Sequence, residues 1–218
     1  MERTITVRGA GKVSVKPNYV VLTMDVLAKQ KIYTKALAEA SAAVDAIRNA
    51  AVSAGHAADA LKTADFKVTT DYVHERDLKN GGYKQVLSGY ICTYKLRLSF
   101  DFDREILDKT LNAIEKSKTE PDLFVNFTVR DGSDIKTALL EAAAKNAREK
   151  AEVLCRASGV KLGTLLSIDY NWNEPNLRSV SGFSVRSAAV NDPSAAPECI
   201  DPEEIRVSDT ATFVWEII

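Results

Sequence analysis

The run GAGK at residues 9–12 is the first segment whose residue types could do chemistry. A phosphate-binding loop needs a glycine five positions before the glycine that precedes its lysine, and a serine or threonine after the lysine. Thr6 and Val13 occupy those two positions, and Ser14 stands where a dinucleotide fingerprint has its third glycine. The run also leads into a strand-like segment, so no helix N-terminus is there to meet a phosphate. We therefore predict a glycine β-bulge within this run.

The two histidines, His56 and His74, are the next candidates. His74-Glu75 begins like the helix of a zinc protease, but Leu78 occupies the position of the second histidine. Two histidines cannot build a conventional His-rich metal site. We interpret His56 as a solvated residue after the first helix, and we assign no metal-binding residue.

Acidic residues gather around the third predicted strand, at Asp65, Asp71, Glu75 and Asp77. Paired carboxylates can do acid–base work or bind a hard cation. Arg76 and Lys79 interrupt them, and no calcium-loop spacing is present. We interpret the group as a solvated strand end, and we assign no catalytic residues and no cofactor.

Aromatic residues offer a candidate ligand site. Tyr90, Tyr94 and Trp172 could wall an apolar pocket, with Trp215 as a further member of the platform. Aromatic residues at strand spacing also serve as core or interface. Both interpretations stay open at the level of the sequence.

Three cysteines, Cys92, Cys155 and Cys199, have no recurring spacing and do not form a disulfide framework. We expect the first two to be buried and inert. Cys199 lies in a proline-rich loop and is a candidate redox residue, although no Lys, Arg or His stands beside it to lower its pKa.

Charge and hydropathy exclude several classes of protein. The net charge is −1, from 29 basic and 30 acidic residues without a basic cluster, so we expect no nucleic-acid partner. No window of eighteen apolar residues is present, so we expect no membrane span. The first residues contain no apolar signal segment. We expect a cytoplasmic protein as the sequence stands, or an exported protein if a leader was removed.

The periodicity of apolar residues predicts an α+β fold with a mostly antiparallel sheet and three helices packed on it, in the order ββα-ββα-βα-ββ. The first two strands are expected to form a hairpin. The longest helix is predicted at 131–159, and a long proline-rich loop or arm at about 173–204. We expect a single domain over residues 1–218.

Three segments carry a resemblance to a known family: ITVRGAGKVSVKPNYVVLTMDV, KNAREKAEVLCRASGVKLGTLLSI and EEIRVSDTATFVWEI. Their order and spacing resemble those of SIMPL-domain proteins over nearly the whole chain. The segment KTEPDLFVNFTVRD departs from the small glycine- and alanine-rich turn that is usual there. The resemblance implies no catalytic residues. It implies links to bacterial stress responses, to signalling partners in animals and, for some members, to ring-forming or channel-like oligomers.

We therefore expect a non-enzymatic, self-associating scaffold or protein-interaction module with a homo-oligomeric state and a further protein partner. The alternative is a small-ligand-binding or unrecognised hydrolytic protein, with a pocket walled by Tyr90, Tyr94 and Trp172. A redox role for Cys199 is a third hypothesis.

Overall fold

The computed structural model describes residues 3–77, 82–171, 177–185 and 201–218. They form three helices and mostly antiparallel strands in two sheets, which confirms the predicted α+β class. The chain divides into two compact units. Unit 1 comprises Met1–Asn18, Thr128–Val180 and Pro202–Ile218, and unit 2 comprises Tyr19–Phe127 and Ser181–Asp201. The single-domain interpretation of residues 1–218 stays a prediction.

The elements follow the predicted order with one additional strand. They are β1 (Thr4–Val15), β2 (Tyr19–Gln30), α1 (Tyr33–Ser53), β3 (Lys62–Asp77), β4 (Gly82–Asp101), α2 (Arg104–Lys116), β5 (Asp122–Thr128), α3 (Ser133–Ala157), β6 (Leu162–Asp169), β7 (Phe183–Val185) and β8 (Ile205–Ile217). The short strand β7 falls inside the segment predicted as a loop at 173–204, and it pairs with β5. Most of that segment lies outside the described residues.

Unit 2 is built on a five-stranded sheet in the order β3-β4-β2-β5-β7. Alternate residues of β2 and β4 point to one face, which α1 and α2 cover. The N-terminus of α2 is capped by Asp103, whose side chain accepts a hydrogen bond from the backbone N–H of Ile106 at 3.1 Å. The core consists mainly of branched aliphatic and aromatic side chains: Val20, Leu22, Met24, Val26, Val44, Ile47, Leu61, Leu96, Leu98, Phe100, Leu107, Ile114, Leu123, Val125 and Phe127.

Unit 1 is built on a three-stranded sheet in the order β1-β8-β6, with α3 packed on one face. The buried residues of α3 recur at every fourth position, and most of them are small: Ile135, Leu139, Ala143, Ala147, Ala151 and Cys155. Small side chains let the helix axis approach the sheet closely. The buried sheet residues that meet them include Val7, Phe213 and Trp215.

The predicted hairpin between the first two strands is wrong. β1 pairs with β8 along its whole length, from Thr4 opposite Glu216 to Val15 opposite Ile205, while β2 pairs with β4. The turn residue Asn18 donates its backbone N–H to the carbonyl of Thr128 at 3.1 Å, and its side chain accepts from the backbone N–H of Arg130 at 2.9 Å. These bonds hold the turn against the last residue of β5 and the segment after it rather than closing a hairpin.

The predicted β-bulge at Gly9 and Gly11 is also wrong. The register with β8 runs through both glycines without a shift. The two glycines are needed because they lack a side chain. A Cβ at Gly9 would overlap the carbonyl of Ala143, and a Cβ at Gly11 would overlap that of Leu139. The two glycines therefore let the backbone of α3 lie directly on β1.

Candidate functional site

The two tyrosines proposed as a ligand wall lie on the helix-covered face of β4, beside the buried Cys92. The ring of Tyr90 meets that of Tyr33 edge to face, with centroids 5.7 Å apart. The ring of Tyr94 packs against Phe66 at 4.6 Å. Each tyrosine is half-buried against a neighbouring aromatic ring, so both help to close the edge of the unit 2 core.

The third member of the wall, Trp172, lies outside the described residues, so the structure does not test whether the three lie together. Trp215 is buried in unit 1, where it stacks on Phe213 with ring centroids 5.5 Å apart. It therefore belongs to the core of that unit. The ligand-binding alternative stays a prediction.

The structure describes two of the three cysteines, and both are buried as predicted. Cys92 and Cys155 are free and buried. Burial raises the pKa of the Cys92 thiol, which keeps it protonated and unreactive at neutral pH. Cys199 lies outside the described residues, and its redox role stays a prediction.

The acidic residues around β3 are spread along the strand. Asp71 forms an ion pair with Lys29 of β2, with Nζ and Oδ2 2.6 Å apart, and this hydrogen bond holds the pKa of the Asp71 carboxyl below its ordinary value. Asp65 accepts a hydrogen bond from the backbone N–H of Phe66 at 2.9 Å. Over residues 3–77, 82–171, 177–185 and 201–218, no three His, Cys, Asp or Glu residues are grouped to hold a metal ion.

His56 was interpreted as solvated, and this is wrong. Its Nε2 lies 2.7 Å from the hydroxyl of Thr110, a fully buried residue of α2, and its ring packs on Phe100 at 4.7 Å. Thr110 donates its hydroxyl proton to the carbonyl of Ile106 at 2.6 Å, so Nε2 of His56 must be the donor to Thr110. Burial lowers the pKa of His56. The sequence carried no signal for this contact, because its partners are 44 and 54 residues away.

A shallow depression of about 390 Å³ lies on unit 1 between residues 12–14 of β1 and residues 206–208 of β8. Lys12 and Arg206 line it and give it positive charge. Ser14, however, donates to the carboxylate of Glu204 at 2.6 Å. A carboxylate beside the two cations opposes the binding of an anion.

A prominent exposed feature of unit 2 is the two-stranded ribbon that β3 and β4 form beyond the end of β2. β2 pairs with β4 only as far as Tyr90, while β3 and β4 continue to pair with each other from Asp71 opposite Gly89 to Asp77 opposite Gly82. We call residues 71–77 and 82–89 the hairpin arm. At 3.3–3.4 Å per residue, the arm extends about 25 Å beyond the end of β2.

Unit 1 has its own exposed apolar strand, β6. Leu165, Leu166 and Ile168 are 42%, 49% and 57% exposed, and most residues of the strand are accessible to solvent. β6 lies at an end of its sheet, with β8 on one side. Exposed aliphatic residues on an edge strand are a site of strand pairing.

Comparison with known protein families gives one match. The family SIMPL, described as "Protein of unknown function (DUF541)", matches residues 5–215. The chain belongs to the SIMPL family. The match runs from the beginning of β1 into β8 and therefore includes the elements of both units.

The SIMPL match confirms the resemblance drawn from the three sequence segments. No curated protein matches the chain. The family description names no activity, so it assigns no role to the tyrosines, the cysteines, the hairpin arm or β6.

Within the described parts of this SIMPL protein, no helix is both long and apolar enough to span a membrane. α3 is the longest helix, but charged residues recur throughout it.

Proposed function

We propose that this SIMPL protein is a non-enzymatic interaction module that self-associates, and that the hairpin arm is its contact surface. The observation that carries the proposal is the exposure of large apolar side chains on a ribbon without a core of its own. Tyr83 is 77% exposed, Tyr72 51% and Leu87 48%. Burial of such side chains against a partner contributes about 25 cal/mol per Å² of apolar surface.

The arrangement of the arm fits recognition of another surface. Tyr72 lies opposite Leu87 and therefore on the same face of the ribbon, while Val73 and Val86 share the other face. Both faces thus carry apolar residues. A two-stranded ribbon is marginally stable in water by itself, and burial of one or both faces would stabilise it.

The base of the arm is held in place. Lys29 at the end of β2 pairs with Asp71, and Gly89 passes so close to the carbonyl of Gln30 that a Cβ there would overlap it. An arm fixed at its base loses less conformational entropy on binding than a free loop does.

Light scattering across the micromolar range tests the proposal. We expect the wild-type chain to form oligomers or larger assemblies, and the double substitution Tyr83→Ser with Leu87→Ser to reduce its mean mass. Val52→Ser is the matched control, because Val52 of α1 is also exposed but lies outside the arm. A strictly monomeric wild type, or equal masses for all three proteins, would contradict the proposal.

The cellular setting is a further part of the proposal and rests on the family resemblance alone. We propose a role in a bacterial stress response. The compartment is the cytoplasm as the sequence stands, or the periplasm or envelope if a leader precedes it in the cell. Survival of a deletion strain under oxidative and envelope stress tests the role, and cell fractionation tests the compartment. Unaltered survival in both conditions would remove the stress role.

A further inference from the structure

The two edges of the unit 1 sheet differ in their hydrogen-bond partners. At the β1 edge, side chains of α3 satisfy two of the outward backbone groups. Asn146 accepts a hydrogen bond from the backbone N–H of Ala10 at 3.1 Å, and Lys150 donates to the carbonyl of Arg8 at 3.1 Å. At the β6 edge, no other strand of the described residues pairs with the outer side. Over the described residues, side chains of α3 therefore cap part of one edge, while the other edge has no strand beside it.

The open edge also presents apolar side chains. Register shifts in β6 place Leu162 opposite Ile217, Leu165 opposite Trp215 and Ile168 opposite Phe213. Because directly opposed residues share a face, these three aliphatic residues all lie on the face that α3 covers. α3 packs mainly over β1 and β8, so Leu165 and Ile168 stay about half exposed. Bulges commonly protect an edge strand, but these bulges carry aliphatic residues onto one exposed strip.

The charged residues beside β6 would be complementary in an antiparallel pair of two β6 strands. Between residues 161 and 171 the charged residues are Lys161 and Asp169, both exposed. Over the described residues, neither side chain forms an ion pair. If two β6 strands run antiparallel with Leu165 on the two-fold axis, Lys161 of each copy lies opposite Asp169 of the other. A shift of two residues places Lys161 opposite Ser167 or Asn171 and loses both ion pairs.

We propose that β6 pairs with β6 of a second copy across a two-fold axis at Leu165. The two three-stranded sheets then become one six-stranded sheet, with Leu162 of each copy beside Ile168 of the other. Such an isologous interface closes on itself and gives a dimer. It is separate from the hairpin arm, which belongs to unit 2, and deepens the proposed self-association by naming a partner and a register.

A charge-swap cycle followed by sedimentation velocity tests the interface. We expect Lys161→Asp and Asp169→Lys to weaken the wild-type dimer at least about tenfold each, because each places like charges opposite one another at both ends of the strand. The double variant restores opposite charges and should dimerise within about threefold of the wild type. Lys35→Asp is the matched control, an exposed lysine of α1 in unit 2 with the same change of charge.

The outcomes separate this interface from the arm. If the arm variant Tyr83→Ser with Leu87→Ser assembles like the wild type while the charge-swap cycle weakens and then restores the dimer, the β6 interface stands and the proposed arm fails. If the wild type stays monomeric at the highest concentration, or if the double variant is as weak as the single ones, the β6 proposal is overturned. The β6 proposal is also overturned if both single variants sediment like the wild type.

Oxidative cross-linking tests the register. In a Cys199→Ser background, Leu165→Cys should give a disulfide-linked dimer, because two-fold-related residues on the axis face each other. Val153→Cys, at an exposed position of α3, is the matched control and should stay monomeric. Equal cross-linking at both positions would contradict the proposed axis.

Discussion

Units 1 and 2 both cover a sheet with helices, but they do so with different side chains. Unit 2 places α1 and α2 over a five-stranded sheet and fills the space between them with Leu, Ile, Val, Met and Phe. Unit 1 places one alanine-rich helix directly on β1 through Gly9 and Gly11. The close approach makes a thin layer, and α3 leaves β6 partly uncovered. Bulky residues thus support a wide layer in unit 2, while small residues in unit 1 let one helix lie close to β1 and leave β6 partly exposed.

The largest expected effect belongs to the bulky core of unit 2. Phe127 is fully buried, with Phe102 and Phe183 at centroid distances of 5.2 and 6.3 Å. Phe127→Ala should lower the free energy of unfolding by about 3–5 kcal/mol, because it leaves a cavity. Phe124→Ala on the same strand is the control, since Phe124 is 44% exposed; it should cost less than about 1 kcal/mol. Urea denaturation measures both. Equal losses would mean that burial does not distinguish these positions.

The next largest effect is expected in unit 1, from a substitution that creates a steric clash instead of a cavity. Gly11→Val should lower the free energy of unfolding by about 3 kcal/mol, because the added carbon atoms meet the backbone of α3, which no side-chain rotation can relieve. Thr6→Val is the control at an exposed position of β1, and it should be nearly neutral. Thermal unfolding followed by circular dichroism measures both. A Gly11→Val protein as stable as the wild type would show that α3 does not need this approach.

The smallest effect concerns pH and the contact between His56 and Thr110 in unit 2. Because burial lowers the pKa of His56 in the folded state, the unfolded chain binds the proton first as the pH falls below about 6.5. This contribution to stability is therefore complete above pH 6.5 and is lost as the pH falls from there toward the folded pKa. The ring is partly exposed, so we expect a loss of only a fraction of a kcal/mol.

Urea denaturation between pH 5 and 8 measures this dependence. His56→Gln removes the titrating group and retains a side-chain donor, so its stability should fall less steeply below pH 6.5 than that of the wild type. His74→Gln is the control, because His74 lies on the exposed part of β3. The same pH profile in the wild type and in His56→Gln would rule out this linkage.

Local patterns predicted the elements better than their partners. The alternation of apolar residues placed the strands in their observed order, apart from β7. The same alternation could not say that β1 pairs with β8, since every strand with one apolar face satisfies it. The glycines of β1 were recognised as special, but their purpose depends on α3, more than a hundred residues away.

The candidate surfaces were harder to predict for the same reason. The residues after Val73 are polar, yet the ladder between β3 and β4 continues to Asp77. A ribbon without a core needs no apolar alternation, so its sequence does not mark it as a strand. In β6 the bulges change which residues share a face, since a regular period of two would place Leu162 and Leu165 on opposite faces.

The pairing of β1 with β8 has a consequence for the order of folding. Residues 4–15 find their partners at 205–217, so the sheet of unit 1 closes a loop of about two hundred residues. Apart from β7, the strands and helices of unit 2 come from the continuous segment Tyr19–Phe127, whose contacts are far more local. During synthesis that segment leaves the ribosome before β8, the partner of β1, has been made. We therefore expect unit 2 to fold first, and unit 1 only after β8 has left the ribosome.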